Sequence, residues 1–241
     1  MIRHFISDLH LWSEQPLLER LFVHYMQNIA PESKELYVLG DLFEVWLGDD
    51  AVDEYQQGII EHFRAYADSG RKLYFMHGNR DFLLGQAFCD AVGGQLLYEP
   101  HAINLAGKPA LLMHGDALCL DDTDYMKFRA MVRSPEWQAQ FLGQTVEQRQ
   151  AIARGIRDES SARGRDKAPE ITDVNQTEVE RVILEHDVQL LIHGHTHRQA
   201  RHALQLKNAS CERIVLGDWG PTGSYLTSDD EHLELYNFDL G

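Results

Sequence analysis

Five short apolar runs in this chain end in the same kind of polar turn. They are Phe5-Ile6-Ser7-Asp8-Leu9-His10, Tyr37-Val38-Leu39-Gly40-Asp41, Tyr74-Phe75-Met76-His77-Gly78-Asn79-Arg80-Asp81, Leu111-Leu112-Met113-His114-Gly115-Asp116 and Leu190-Leu191-Ile192-His193-Gly194-His195-Thr196-His197. A short apolar run bounded by Gly reads as a buried strand. A polar residue just past a strand end sits where a sheet protein assembles its site. Five ends that offer Asp, His, Asp, Asn, His and His-x-His point to an α/β fold organised around a metal centre.

The intervening segments fit that frame. Pro16 to Ile29 carries an i, i+3/i+4 stripe of Leu17, Leu18, Leu21, Phe22, Tyr25 and Met26, which predicts a helix with Pro16 in its first turn. Helices are expected at 54–69 and 175–186, and a shorter one that closes at Gly93-Gly94. Short strands are expected at 95–98 and 102–105, with a turn at Gly107-Lys108-Pro109, and β-hairpins at 199–206, 211–217 and 222–238. No fixed-period repeat or long linker divides the 241 residues, so a single domain is expected over 1–241. One segment differs in character. Between 127 and 167 nine Lys and Arg face five Asp and Glu, about +4 in a chain of −16. It has helical period, and its clustered Arg suits a lid over an anionic substrate.

Seven residues offer ligand atoms: Asp8, His10, Asp41, Asn79, His114, His195 and His197. Imidazole nitrogens mixed with carboxylate and amide oxygens suit Mn, Fe, Co or Zn. Seven ligands are too many for one ion and about right for two, with Asp41 the best candidate for a bridge. Two ions roughly 3.5–4 Å apart would clamp a phosphate and activate a water for in-line attack. Arg80, next to Asn79, is placed to hold charge on phosphate oxygens. Asp81 and Asp116 are expected to orient ligands. His77 and His193 are expected to be buried and hydrogen-bonded, and Asp218 to be structural.

Charge and cysteines narrow the partners. A net charge of −16 argues against nucleic acid. Three Cys far apart, Cys89, Cys119 and Cys211, form no thiolate zinc pattern and read as reduced thiols of a cytoplasmic protein. Met1-Ile2-Arg3-His4 runs into the first strand without an apolar leader, and no run nears the roughly 20 apolar residues of a membrane span.

The order of these motifs resembles the calcineurin-like metallophosphoesterases. That resemblance implies a four-layer α/β/β/α sandwich with an inserted helical lid at 122–167. It also implies two metals, one held by Asp8, His10, Asp41 and His197, the other by Asp41, Asn79, His114 and His195. Glu44-Val45-Trp46-Leu47-Gly48-Asp49-Asp50, His77-Gly78-Asn79-Arg80-Asp81-Phe82-Leu83-Leu84-Gly85 and Asp173-Val174-Asn175-Gln176 are similar, more specifically, to the UDP-2,3-diacylglucosamine diphosphatase family of lipid A biosynthesis. This implies hydrolysis of a UDP-sugar lipid at the α-phosphorus to UMP and 2,3-diacylglucosamine 1-phosphate (lipid X), with two Mn2+ as cofactors. The implied catalytic residues are Asn79, Arg80 and His195. The implied substrate contacts are Asn79, Arg80, Asp122, Ser160, Lys167 and His195. A monomer is expected, in the cytoplasm or peripheral on the inner face of the inner membrane through its lid. The polar stretch 141–149 keeps open a phosphoesterase for a soluble nucleotide. A non-catalytic scaffold of the same fold is opposed by the complete ligand set.

Overall fold

The computed structural model describes residues 1–164, 171–206 and 209–241, the side chains of 159–164 excepted. Two sheets stack face to face. The first runs in the order β11 (Leu233–Phe238), β10 (Gly223–Ser228), β1 (Arg3–Ile6), β2 (Glu35–Val38), β3 (Lys72–Met76), β4 (Gln95–Leu97). The second runs β5 (His101–Leu105), β6 (Lys108–Leu112), β7 (Leu190–His193), β9 (Ala209–Val215), β8 (Ala200–Leu206). Strands β1 to β4 are mutually parallel, and so are β6, β7 and β9.

Strand alternation builds the layers. Phe5, Tyr37 and Met76 point inward and meet Ala110, Leu112, Leu190, Ile192 and Ile214 of the other sheet. Their neighbours Ile6, Leu36, Val38, Leu73 and Phe75 point outward, onto α1 (Pro16–His24), α2 (Glu54–Asp68) and α3 (Gln86–Val92). On the far side Leu111, Leu191 and Cys211 pack on Val179, Val182 and Ile183 of α7 (Gln176–Glu185). A period of two in the strands thus produces four layers, α/β/β/α. The expected sandwich is the observed one.

Local differences have local causes. The stripe over 16–29 forms one continuous turn sequence, but α1 stops at His24 and Tyr25–Ile29 winds as a π-helical turn. The turn expected at 107–109 is tighter: Ala106 and Gly107 both take positive φ, and β6 begins at Lys108. Pro109 is accommodated within β6, where its carbonyl still accepts from Gln189 N–H.

Between β6 and α7 the chain forms α4 (Thr123–Val132), α5 (Pro135–Leu142) and α6 (Val146–Gly164). Asp122 caps α4 through Tyr125 N–H and Ser134 caps α5 through Trp137 N–H.

Candidate metal centre

Every candidate ligand leaves the C-terminal end of a parallel strand. Asp8 and His10 follow β1, Asp41 follows β2, Asn79 and Arg80 follow β3, His114 follows β6, and His195 and His197 follow β7. The backbone there is unusual. Among the described residues seven non-glycine residues have φ in the left-handed region, and five of them are Asp8, His10, Asp41, His195 and His197. Such conformations are costly and persist where surrounding structure enforces them, typically at functional sites. Two glycines make the close approach possible. A Cβ on Gly78 would lie 2.0 Å from Asp41 Oδ1, and one on Gly194 would lie 2.2 Å from Asp8 Oδ2.

The seven side chains fall into two overlapping groups. In one, His10 Nε2 is 3.3 Å from His197 Nε2 and 3.7 Å from Asp41 Oδ2, and His197 Nε2 is 3.5 Å from Asp8 Oδ1. In the other, Asn79 Oδ1 lies 2.8 Å from His195 Nδ1 and 3.0 Å from His114 Nε2, and His114 Nε2 is 3.8 Å from Asp41 Oδ1. Asp41 therefore offers one oxygen to each group, and the structure brings all seven together. Asp8, His10 and His197 form a cluster able to hold a metal ion, as do Asp8, Asp41 and His114. Asp8 Oδ1 is buried without a hydrogen-bond partner, which suits a cation.

Electrostatics match a cation site. Burial opposes charge on His114, yet Asp41, Asp116 and Asp8 raise it to about 9. Burial likewise opposes charge on His197, but the Asp218 and Asp8 carboxylates beside its ring raise it to about 10. His195 goes the other way: burial and His114 lower it to about 4, so its ring is neutral with a free lone pair. Burial alone would raise Asp8, but His197, His114 and His10 hold its carboxyl below the usual range. Protons on His114 and His197 occupy places that a divalent cation would take, so loading releases protons.

A cleft of about 440 Å³ opens from this cluster. His10, Asp41, Asn79 and His195 wall its ionic end, with Arg80 and Asp122 beside them. Phe82, Leu83, Phe128, Trp137, Phe141 and Ile156 wall the rest, so α4, α5 and α6 give it an apolar floor. Of the other apolar residues on these helices, Val132 is buried while Met131 and Ile152 are exposed.

The sequence comparisons agree on a family. The family model described as calcineurin-like phosphoesterase matches residues 4–199. A protein of Chromohalobacter salexigens named UDP-2,3-diacylglucosamine hydrolase is 50% identical over 216 residues, 90% of this chain and 88% of its own length. One of the same name from Cellvibrio japonicus is 46% identical over 98% of both chains. The chain belongs to the UDP-2,3-diacylglucosamine hydrolase family of calcineurin-like phosphoesterases. Among solved structures, an archaeal phosphodiesterase aligns with a TM-score of 0.51 at 12% identity, covering 99% of this chain and 100% of its own. Vacuolar protein sorting 29 from Cryptosporidium parvum also aligns with a TM-score of 0.51 at 12% identity, over 100% and 91%. Both share the fold. Calcineurin-like phosphoesterases bind divalent metal, and the clustered ligands of this phosphoesterase fit that requirement.

Around the centre, several roles differ from expectation. Glu44 was legible only as part of a distinctive stretch. In the phosphoesterase it lies 3.0 Å from His10 Nδ1 and also pairs with Arg80 at 3.7 Å and Arg157 at 3.3 Å. Asp218 is more than structural packing, since its carboxylate is 3.3 Å from His197 Nδ1 and orients that ring. Asp81 orients backbone rather than a ligand ring, accepting from Gly78 N–H and Leu42 N–H. Asp116 accepts from Tyr125 Oη and Arg129 Nε. His193 is buried and hydrogen-bonded as expected, whereas His77 is bonded to the Leu84 carbonyl but only half-buried.

The basic segment also needs correction. Arg129 donates to Asp116 and Glu99, Arg133 to the Gly78 carbonyl, and Arg149 to Asp50 and the Leu47 carbonyl. Arg157 pairs with Glu44 and stands 4.2 Å over the Trp12 ring. These cations tie α4 and α6 to the sandwich, and Arg157 also lines the cleft. Asp122 lines the cleft. The side chain of Ser160 and all of Lys167 lie outside the described residues.

Proposed function

We propose that the protein hydrolyses the diphosphate of UDP-2,3-diacylglucosamine to UMP and 2,3-diacylglucosamine 1-phosphate, a step of lipid A biosynthesis. The cleft carries this reading. It joins an ionic end walled by five of the seven ligand residues, His10, Asp41, Asn79, His195 and His197, to an apolar floor of Phe128, Trp137, Phe141 and Ile156. A nucleoside diphosphate attached to an acylated sugar has the same two-ended character. The name carried by the full-length relatives supports it.

On this reading Asp8, His10, Asp41 and His197 hold one divalent ion, and Asp41, Asn79, His114 and His195 the other, with Mn2+ as the metal. Bound there, the ions supply charge neutralisation and a water acidic enough to ionise near neutral pH. Water attacks the α-phosphorus in line, and the bond to the bridging oxygen breaks, releasing the sugar 1-phosphate. Arg80 holds negative charge on the phosphoryl oxygens as it develops. Asn79 and His195 position the attacked phosphate, and Asp122, Ser160 and Lys167 contact the rest of the substrate. The segment 122–167 acts as a lid over the acyl chains, and the sandwich with this insertion works as one domain.

No helix among the described residues is long and apolar enough to cross a membrane. Met131, Leu142 and Ile152 are large apolar side chains exposed on the lid, which supports peripheral contact with the inner membrane. Every candidate ligand comes from one chain, which supports a monomer as the working unit.

A turnover assay with Mn2+ tests the reading by comparing UDP-2,3-diacylglucosamine, deacylated UDP-glucosamine and an aryl phosphodiester. UMP release from the acylated substrate alone is expected. Equal turnover of the soluble substrates would move the protein to soluble nucleotides.

A further inference from the structure

A smaller cavity of about 220 Å³ shares Thr196 with the cleft but none of the ligand side chains. Arg213, Gln199, Arg198, Asp173 and His202 are among its other walls. Arg213 projects from β9 and is only 7% exposed. Its Nη1 donates to His193 Nε2 at 3.2 Å, and the other ring nitrogen, Nδ1, is 2.8 Å from the Gly194 carbonyl. Asp173 is engaged by Arg198, and among the described residues no carboxylate lies within ion-pair distance of Arg213. Its Nε has no hydrogen-bond partner. Gln199 Nε2 and Thr196 Oγ1 are buried without partners as well.

Asp173, already engaged by Arg198, is the carboxylate that shares this cavity with Arg213, and a buried cation without a direct ion pair is expensive, as are buried donors left unsatisfied. Here a guanidinium N–H, an amide N–H and a hydroxyl without partners all belong to residues that wall one small space. A water could accept two of these bonds but brings no charge to pair directly with the guanidinium. A tetrahedral oxyanion supplies both charge and several acceptor positions. The cavity is below the roughly 300–1,000 Å³ usual for organic ligands, which favours a bare ion or a terminal phosphate.

We propose that this cavity binds a tetrahedral oxyanion of the phosphate class, paired with Arg213 and hydrogen-bonded by Gln199 and Thr196. Thr196 stands between His195 and His197, so an occupant braces the turn that carries both rings.

The test is anomalous diffraction from crystals of the metal-loaded protein soaked in tungstate. A peak within hydrogen-bonding reach of Arg213 Nε, separate from any at the metal centre, is expected, and Arg213→Met should remove it while the peak at the metal centre stays. In solution, phosphate affinity at this site should fall about tenfold or more in the same variant. Should Arg213→Met fail to fold, Gln199→Leu and the wild-type soak carry the test. Water alone in the wild-type cavity at saturating tungstate, or a peak that persists in the variant that folds, would overturn the proposal. Parallel soaks in inorganic phosphate and in UMP separate a free ion from a nucleotide's phosphate, and either occupant supports the site. The UMP soak alone rests on the function proposed above, so its failure leaves the ion result to stand or fall separately.

Discussion

At the scale of single residues, left-handed backbone and ligand chemistry coincide. Asp8, His10, Asp41, His195 and His197 adopt φ between 48° and 67°, where Asp, Asn and His are better tolerated than other non-glycine side chains. Asp41 is engaged at both oxygens, since Oδ1 accepts from Arg80 N–H at 2.8 Å and Oδ2 faces His10. Asp41→Ala should therefore lose paired metal and activity together, which metal analysis of the purified variant and a turnover assay will show. Arg80 separates from the metal set because it lines the cleft without being a ligand. For Arg80→Ala, kcat should fall by roughly 10²–10³ while metal content is unchanged. A loss of metal in that variant would assign Arg80 to the scaffold. The ligands themselves were readable from strand-end chemistry. Glu44 and Asp218 were not, because a carboxylate that orients a ring through space carries no local spacing.

At the scale of elements, the acidic stretch after β2 acts as an anchor. Asp49 accepts from Trp46 Nε1 and from Gly85 N–H and Phe88 N–H at the start of α3. Asp50 pairs with Arg149 of α6, whose guanidinium also donates to the Leu47 carbonyl at 2.7 Å. Arg149 is buried although it is charged, so truncating it removes the donor to the half-buried Leu47 carbonyl, while the exposed Asp50 carboxylate returns to water. Arg149→Met should loosen the base of α6 and cost about 1–3 kcal/mol, read from urea unfolding. If α6 covers acyl chains, the same variant should raise KM for the acylated substrate several-fold, with a smaller effect on kcat. The charge count of this segment was legible beforehand. Its use as tether was not, because the partners Asp116, Glu99, Asp50 and Glu44 come from three separate stretches of chain.

For the molecule as a whole, the two sheets and their helices meet in three apolar layers, and polar groups inside them set the response to pH. His4 on β1 is buried against the Tyr25 hydroxyl at 3.1 Å, and burial lowers it from 6.5 to about 4. The folded form thus keeps His4 neutral while the unfolded chain takes up a proton below about pH 6.5. Stability from this site is complete above that value and is lost as pH falls toward about 4. The difference approaches about 3 kcal/mol. Urea unfolding from about pH 7 to about pH 4 should show a shallower decline in His4→Gln, which cannot titrate in this range. Parallel declines in both proteins would assign acid sensitivity to the carboxylates instead.

Local sequence determined the strands, the turn that follows each, and the ligand type on every turn. Period-two alternation and Gly-Asp, Gly-Asn or Gly-His punctuation are short-range signals that survive without knowledge of neighbours. Tertiary structure decided what those signals leave open. It sent one oxygen of Asp41 to each group, because β2 lies between β1 and β3 in the sheet. It also turned basic side chains of α4 and α6 into tethers and left Arg213 facing a small cavity with no carboxylate within ion-pair distance among the described residues. Ion pairing and burial depend on which distant stretches meet, and only packing two sheets face to face fixes that.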